Sequence, residues 1–167
     1  STFVDSAMED SVKIVKDFKS YLKLLKDKNV ILDHNLRKKY IINKINKISK
    51  SKSIIPEINE ELLNEVNDLV EKPRVIACKF NSNFLDIPKE ILITSMQQHQ
   101  KYFPTFDQKG NLLNIFLVVI NCDDKKGFIK LGNERVIEAR LSDASFFWKK
   151  NKSQNLVKQV ANLKVIN

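Results

Sequence analysis

Glycine and proline are scarce in this chain, three and four among 167 residues. Such a composition gives little support to a flexible linker or a low-complexity tract. Cysteine is scarcer still. Cys78 and Cys122 are the only two, too few for a disulfide-stapled secreted scaffold and without a C-x-x-C pair for zinc. Both lie in apolar runs, RVIACKF and FLVVINC, which suits packed thiols in a reducing compartment. No apolar run approaches the ~20 residues of a membrane span. The longest, Ile115 to Ile120, is strand-sized. The N-terminus lacks a basic segment followed by an apolar core and a small-residue cleavage site. A soluble, cytoplasmic chain with no membrane contact is expected. Neither G-x-G-x-x-G nor a Walker A loop occurs, so a dedicated nucleotide cradle is not expected. Nothing supports a Ser-His-Asp or Cys-His nucleophile, and neither cysteine has the basic or helix-start context that activates a thiol.

Positive charge is what the chain has in excess. Twenty-nine Lys and Arg against twenty Asp and Glu give a formal net charge of +9. Clustered cations bind phosphate and release counterions, so nucleic acid is one class of partner to weigh. The basic residues are almost all Lys, with Arg only at 37, 74, 135 and 140. Ile and Asn are abundant too, and that Lys-Ile-Asn excess fits coding bias as well as it fits a polyanionic partner. The four arginines carry more weight, because a planar guanidinium is the better bidentate ligand.

Periodicity divides the chain into a helical part and a mixed part. Val12, Val15, Phe18, Leu22 and Leu25 recur at helical spacing and predict a helix over 5–27, with Asp5 or Ser6 as its cap. Asp33 opens a second, striped by Leu36, Tyr40, Ile41, Ile45 and Ile48. Ser49 to Ser53 reads as a polar break. Pro56 suits the first turn of a third helix, with Ile58, Leu62, Val66 and Leu69 as its stripe. The Lys-rich faces of these helices are most simply solvated surface. From Pro73 the pattern changes. Arg74 to Phe80 is β-branched and apolar, and predicts a strand. Asn81 to Asn83 reads as a turn, and Asp86 and Pro88 start a helix through about Gln98. Lys101 to Phe106 and Leu112 to Asn121 are strands joined by the hairpin turn Asp107 to Asn111. A last long helix is expected from about Glu134 to Asn151, with a further short one over 153–167. The organisation expected is a helical segment over 1–70, an α+β core over 71–151, and a short C-terminal helix over 152–167. Helices followed by strands and helices argue for an α+β fold with a mainly antiparallel sheet covered by helices.

Two segments place polar side chains among apolar ones more densely than a fold requires. One is Ile93 to Phe106, containing His99-Gln100-Lys101-Tyr102-Phe103. On the helix before it, Ile91, Leu92, Ser95, Met96 and His99 share a side, and His99 lies at the C-terminal end, where the helix dipole favours an imidazolium. His99, Gln100 and Lys101 could face a phosphate or a base edge in a groove, with Tyr102, Phe103 and Phe106 stacking bases. Equally, His99 could close the helix and the aromatics could be core. The other segment is Gly132 to Lys149. Asn133, Val136, Ile137, Arg140, Asp143, Ala144 and Phe147 fall on one helical stripe. A cation and a carboxylate among apolar residues should pair, and Arg140 with Asp143 is the obvious structural ion pair. Alternatively Arg135 and Arg140 are phosphate ligands held by Glu134 and Asp143. Asp123-Asp124 beside Lys125-Lys126 reads as a charged loop, lacking the mixed ligand set of a metal site.

The same two segments resemble the beta subunit of the bacterial two-subunit glycyl-tRNA synthetase. The residues that carry the resemblance are Ile93 to Met96 with His99 to Phe103, then Gly132 to Val136, Ala139 to Ala144 and Phe146 to Trp148. Asn64 to Arg74 and Ile87 to Ile93 extend it, so the likeness is best over about 62–149. The resemblance implies an internal fragment of a much larger subunit, not catalytic alone, that supports glycine attachment to tRNA through tRNA contacts and scaffolding. It implies that the alpha subunit carries the ATP and glycine chemistry, with ATP and Mg used by the holoenzyme and no cofactor in this fragment. It further implies a heterotetramer, glycine tRNA as partner, and a core like the editing module of the phenylalanyl-tRNA synthetase beta subunit. Editing is physically unnecessary for glycine, since no amino acid is smaller and a tight pocket excludes every rival. By matching position, His99, Lys101, Arg135 and Arg140 are the tRNA-binding candidates. Two further readings stay open, a stand-alone basic adaptor for RNA or acidic protein, and a hydrolase of mischarged tRNA acting near His99.

Overall fold

The computed structural model describes the backbone of residues 17–163 and side-chain burial for residues 17–152. Short polar side chains fix where several of its helices start, by accepting backbone N–H groups that have no partner within the first turn. Asp17 accepts from Ser20 N at 2.7 Å and opens α1, Phe18–Asp27. The helix expected over 5–27 is therefore seen from Phe18 onward, behind an extended Asp17. Its expected caps, Asp5 and Ser6, lie outside the described residues. Asp33 accepts from Leu36 N at 2.8 Å and opens α2, His34–Lys52, as expected. The break expected over 49–53 does not occur. Ser49 is buried and gives its hydroxyl to Ile45 O at 2.8 Å, so the helix continues until Ser53 turns left-handed.

Pro56 does not start a helix. It lies in the edge strand β1, Ile55–Pro56, where a missing N–H disturbs no ladder. Asn59 caps instead, accepting from Glu61 N at 2.8 Å, and α3 runs over Glu60–Asp68. Ile58 and Leu69, expected in its stripe, are exposed, while Leu62, Leu63 and Val66 are buried. Next come β2 (Arg74–Lys79), a 3-10 turn (Ser82–Asp86), α4 (Lys89–Thr94) and a π-helical turn (Ser95–His99). Strand β3 (Phe103–Phe106) and strand β4 (Leu112–Ile120) form the expected hairpin. In its turn Asp107 accepts from Lys109 N and Asn111 N, both at 2.8 Å, and Gly110 takes a φ of +81°.

The last helix differs most from expectation. It is one helix, α5, over Phe128–Leu163, rather than two pieces starting at 134 and 153. Asp124 caps its start, accepting from Ile129 N at 3.1 Å and Lys130 N at 2.8 Å.

The four strands form one antiparallel sheet in the order β1-β3-β4-β2. Strand β4 is central and apolar on both sides, because each side is covered. Phe116, Val118 and Ile120 face α4 and α5, packing with Leu92, Met96, Ile137 and Leu141. Leu117, with the half-buried Leu113, Ile115 and Val119, faces α2 and α3, packing with Ile41, Ile45, Leu63 and Val66. The fold is thus α+β, an open antiparallel sheet between two layers of helices. None of the described helices is long and apolar enough to cross a membrane.

Candidate nucleic-acid interface

The π turn and the corner leading into β3 build one side of the candidate site. Ser95 to His99 widen the end of α4, with Met96 fully buried and His99 exposed. Lys101 then adopts a left-handed φ of +57°, and Tyr102 N closes the corner on Met96 O at 3.0 Å. π turns and left-handed non-glycine residues are both disfavoured locally, and both cluster at functional segments. At this corner Lys101 and Tyr102 leave towards different helical layers. Lys101 makes an ion pair with Glu65 of α3. Tyr102 points to the α5 side, stacks on Phe116 with ring centroids 4.8 Å apart, and donates its hydroxyl to Asn133 Oδ1 at 2.7 Å. Burial first, then the nearby Cys78, pushes the Tyr102 phenol up to about 12.

Asn133 and Glu134 of α5 complete the join. Asn133 donates to Ile129 O at 2.7 Å, fixing its amide towards Tyr102. Glu134 accepts from Lys79 N at 2.9 Å, tying α5 to the end of β2, and lies 3.9 Å from Lys130 Nζ. It does not hold Arg135. The polar residues at 102, 133 and 134 are therefore brought together, and they lock helix to sheet. Nothing in their spacing marked them as partners, some thirty residues apart.

The buried stripe of α5 is phased differently from expectation. Ile137 and Leu141 are fully buried, whereas Val136, Arg140, Asp143 and Phe147 are exposed. Arg140 and Asp143 are not desolvated, and no ion pair joins them among the described residues. The expected structural ion pair is replaced by two solvated side chains flanking Leu141.

The four arginines divide cleanly. Arg37 is buried and gives its guanidinium to Asn67 O at 3.0 Å, Asn67 Oδ1 at 3.1 Å, Ile31 O at 2.8 Å and Leu32 O at 3.2 Å. Arg74 donates to Asp123 at 2.5 Å, and this bond holds the Asp123 carboxyl below the usual range. Asp123 is thus spent on Arg74 and Asp124 on the helix start. Arg135 and Arg140 are exposed, with no hydrogen bond or ion pair among the described residues; the same is true of His99. Five residues separate the two arginines, about 140° around a helix, so they do not enter one groove side by side. Lys101, drawn to α3, stands on the other side of the sheet from both.

The Cys78 thiol is not poised for covalent chemistry. Burial, with Glu134 adding to it, pushes the Cys78 thiol up to about 12, so it stays protonated at neutral pH. What the arrangement offers is a rigid corner and a helix from which cations reach solvent.

A family model described as the glycyl-tRNA synthetase beta subunit matches residues 1–167. Among similar proteins, the glycine–tRNA ligase beta subunit of Natranaerobius thermophilus is 42% identical over 156 residues, 92% of this chain and 22% of that protein. That of Dictyoglomus thermophilum is 38% identical over 150 residues, 89% of this chain and 22% of that protein. That of Bacillus subtilis is 40% identical over 148 residues, 88% of this chain and 22% of that protein. The chain spans about a fifth of the length of the relatives it matches.

Proposed function

Because this chain belongs to the family of glycyl-tRNA synthetase beta subunits, we propose that it is a tRNA-contacting and scaffolding region of a glycine–tRNA ligase. The observation that carries the reading is the division of the arginines. Two are consumed by the fold, and Arg135 and Arg140 are left in solvent on the helix that holds the second family segment. A fork-shaped cation without a carboxylate partner is suited to phosphate. His99 adds a donor on the neighbouring corner, and Lys101 can join only by leaving Glu65.

In this reading the alpha subunit carries the ATP, magnesium and glycine chemistry, and the assembly is a cytoplasmic heterotetramer. The open sheet serves as a retired editing module of the kind found in the phenylalanyl-tRNA synthetase beta subunit. Steric exclusion supports that role, since no competitor is smaller than glycine.

Binding of glycine tRNA and one non-cognate tRNA, at two salt concentrations, tests the proposal. Cognate preference that survives the higher salt supports recognition. Arg135→Ala and Arg140→Ala should each weaken binding roughly fivefold or more while shifting stability by less than about 0.5 kcal/mol. A lowered melting temperature with intact tRNA binding would overturn the assignment of these arginines. Equal, salt-steep binding of both tRNAs would instead favour a nonspecific basic adaptor.

A further inference from the structure

Helix α2 has no carboxylate in its 19 residues, although the chain holds twenty Asp and Glu elsewhere. It carries His34, Arg37 and six lysines. The helix it packs on, α3, is the reverse, with Glu60, Glu61, Glu65 and Asp68 and no cation. Part of the imbalance is therefore internal. Lys38 pairs with Glu60, His34 lies 3.0 Å from Asp68, and Arg37 is buried against Asn67. Lys44 sits over the Tyr40 ring at 5.1 Å.

Lys39, Lys47 and Lys50 are not explained that way. All three are exposed and form no ion pair among the described residues. With the exposed Asn43 and Asn46 they follow spacings of three and four, so they share the outward face. From Lys39 to Lys50 this row runs about 16 Å along the axis, enough to meet more than one phosphate of a strand. A Lys- and Asn-rich composition accounts for the cations but does not keep carboxylates away from one helix. The row also has no aromatic residue. Protein interfaces are depleted in Lys and enriched in aromatic anchors, whereas Lys and Asn are common phosphate contacts.

We propose that the outward face of α2 is a sequence-independent contact for the sugar–phosphate backbone of RNA, separate from Arg135 and Arg140. It rests on the reading that the chain binds RNA, and adds a second surface that positions RNA without reading its sequence.

The test compares the triple variant Lys39→Gln, Lys47→Gln, Lys50→Gln with a control of equal charge loss, Lys89→Gln, Lys109→Gln, Lys125→Gln, in the full chain. Probes are glycine tRNA and an unrelated RNA duplex of about twenty base pairs, titrated over a salt series, with melting temperature checked for each protein. The α2 triple should weaken both RNAs by the same factor, roughly tenfold or more at low salt. It should also flatten the salt slope by about 2 to 3, with the control near wild type. Equal losses in both triples would reduce the effect to net charge and overturn the proposal. Displacement of RNA by polyglutamate as readily as by polyuridylate would overturn it in favour of an acidic protein. If the α2 triple binds like wild type while Arg135→Ala and Arg140→Ala bind weakly, this inference fails and the α5 reading stands. If wild type binds neither probe, both fail.

Discussion

Tyr102 reaches from one family segment to the other through a single phenol, and its burial makes that contact titratable. The unfolded phenol ionises near 10, whereas the folded one is held up to about 12. Between those values the unfolded chain releases a proton the folded chain keeps, so stability falls as pH rises through that window. The Cys78 thiol, raised from 9.0 to about 12, acts in the same direction from a lower onset. An ultraviolet titration should show a late tyrosine step, and Tyr102→Phe should abolish it. The same substitution leaves Asn133 Oδ1 without its donor and should cost about 1 kcal/mol in urea denaturation. Little of this could be foreseen from the sequence. Tyr102 reads as one more aromatic on an alternating strand, and Asn133 as one polar residue on a helix; only the tertiary crossing of α5 over the π turn makes them partners.

Among the elements, those written in turn chemistry or β-branched runs were legible, and those whose phase depends on a neighbour were not. The strands expected over Arg74 to Phe80 and Leu112 to Asn121 are found at Arg74–Lys79 and Leu112–Ile120, and the Asp107 to Asn111 turn fixes the hairpin that ends in β4. Pro56, expected to start a helix, lies instead in an edge strand opposite Thr105, a pairing that only the tertiary fold supplies. Along α5, Val136, Ile137, Leu141, Phe146 and Phe147 allow several apolar stripes, and contact with Met96 and Phe116 selects the one through Ile137 and Leu141. Ile137→Ala should accordingly cost about 2–4 kcal/mol, while Val136→Ala, at an exposed site, should change stability by under about 0.5 kcal/mol. A reversed order in thermal melts would mean the helix is rotated. Asp124→Ala removes the acceptor for two backbone N–H groups. It should destabilise by about 1 kcal/mol and speed hydrogen exchange at Ile129 and Lys130.

For the whole molecule, the sheet is the shared wall of two cores. Phe103 and Leu117 pack on α2 and α3, while the adjacent Tyr102 and Phe116 pack on α4 and α5. Neither helical layer can lose its packing without exposing one face of the same strands, so the layers should unfold together. Leu63→Ala on one side and Leu92→Ala on the other should each cost about 2–5 kcal/mol, and should lower one common transition. Far-ultraviolet circular dichroism, which sees all the helices, and the near-ultraviolet signal of the packed Tyr102–Phe116 pair should give coincident curves. Two separated midpoints would show that the layers are independent.

Helix α5, over Phe128–Leu163, is the longest element of the fold. Among the residues whose burial is described, its last fully buried one is Leu141, and its backbone continues to Leu163. At a rise of 1.5 Å per residue, the 29 residues after Glu134, up to Leu163, span about 44 Å. The fulcrum is the bonded knot of Tyr102, Asn133, Glu134 and Lys79. As a lever, a tilt of about 5° at that knot sweeps the far end through about 4 Å, larger than any hydrogen bond could stretch to absorb. Small repacking where the two family segments meet is therefore geared up, mechanically, into a larger displacement of the helix backbone at Leu163.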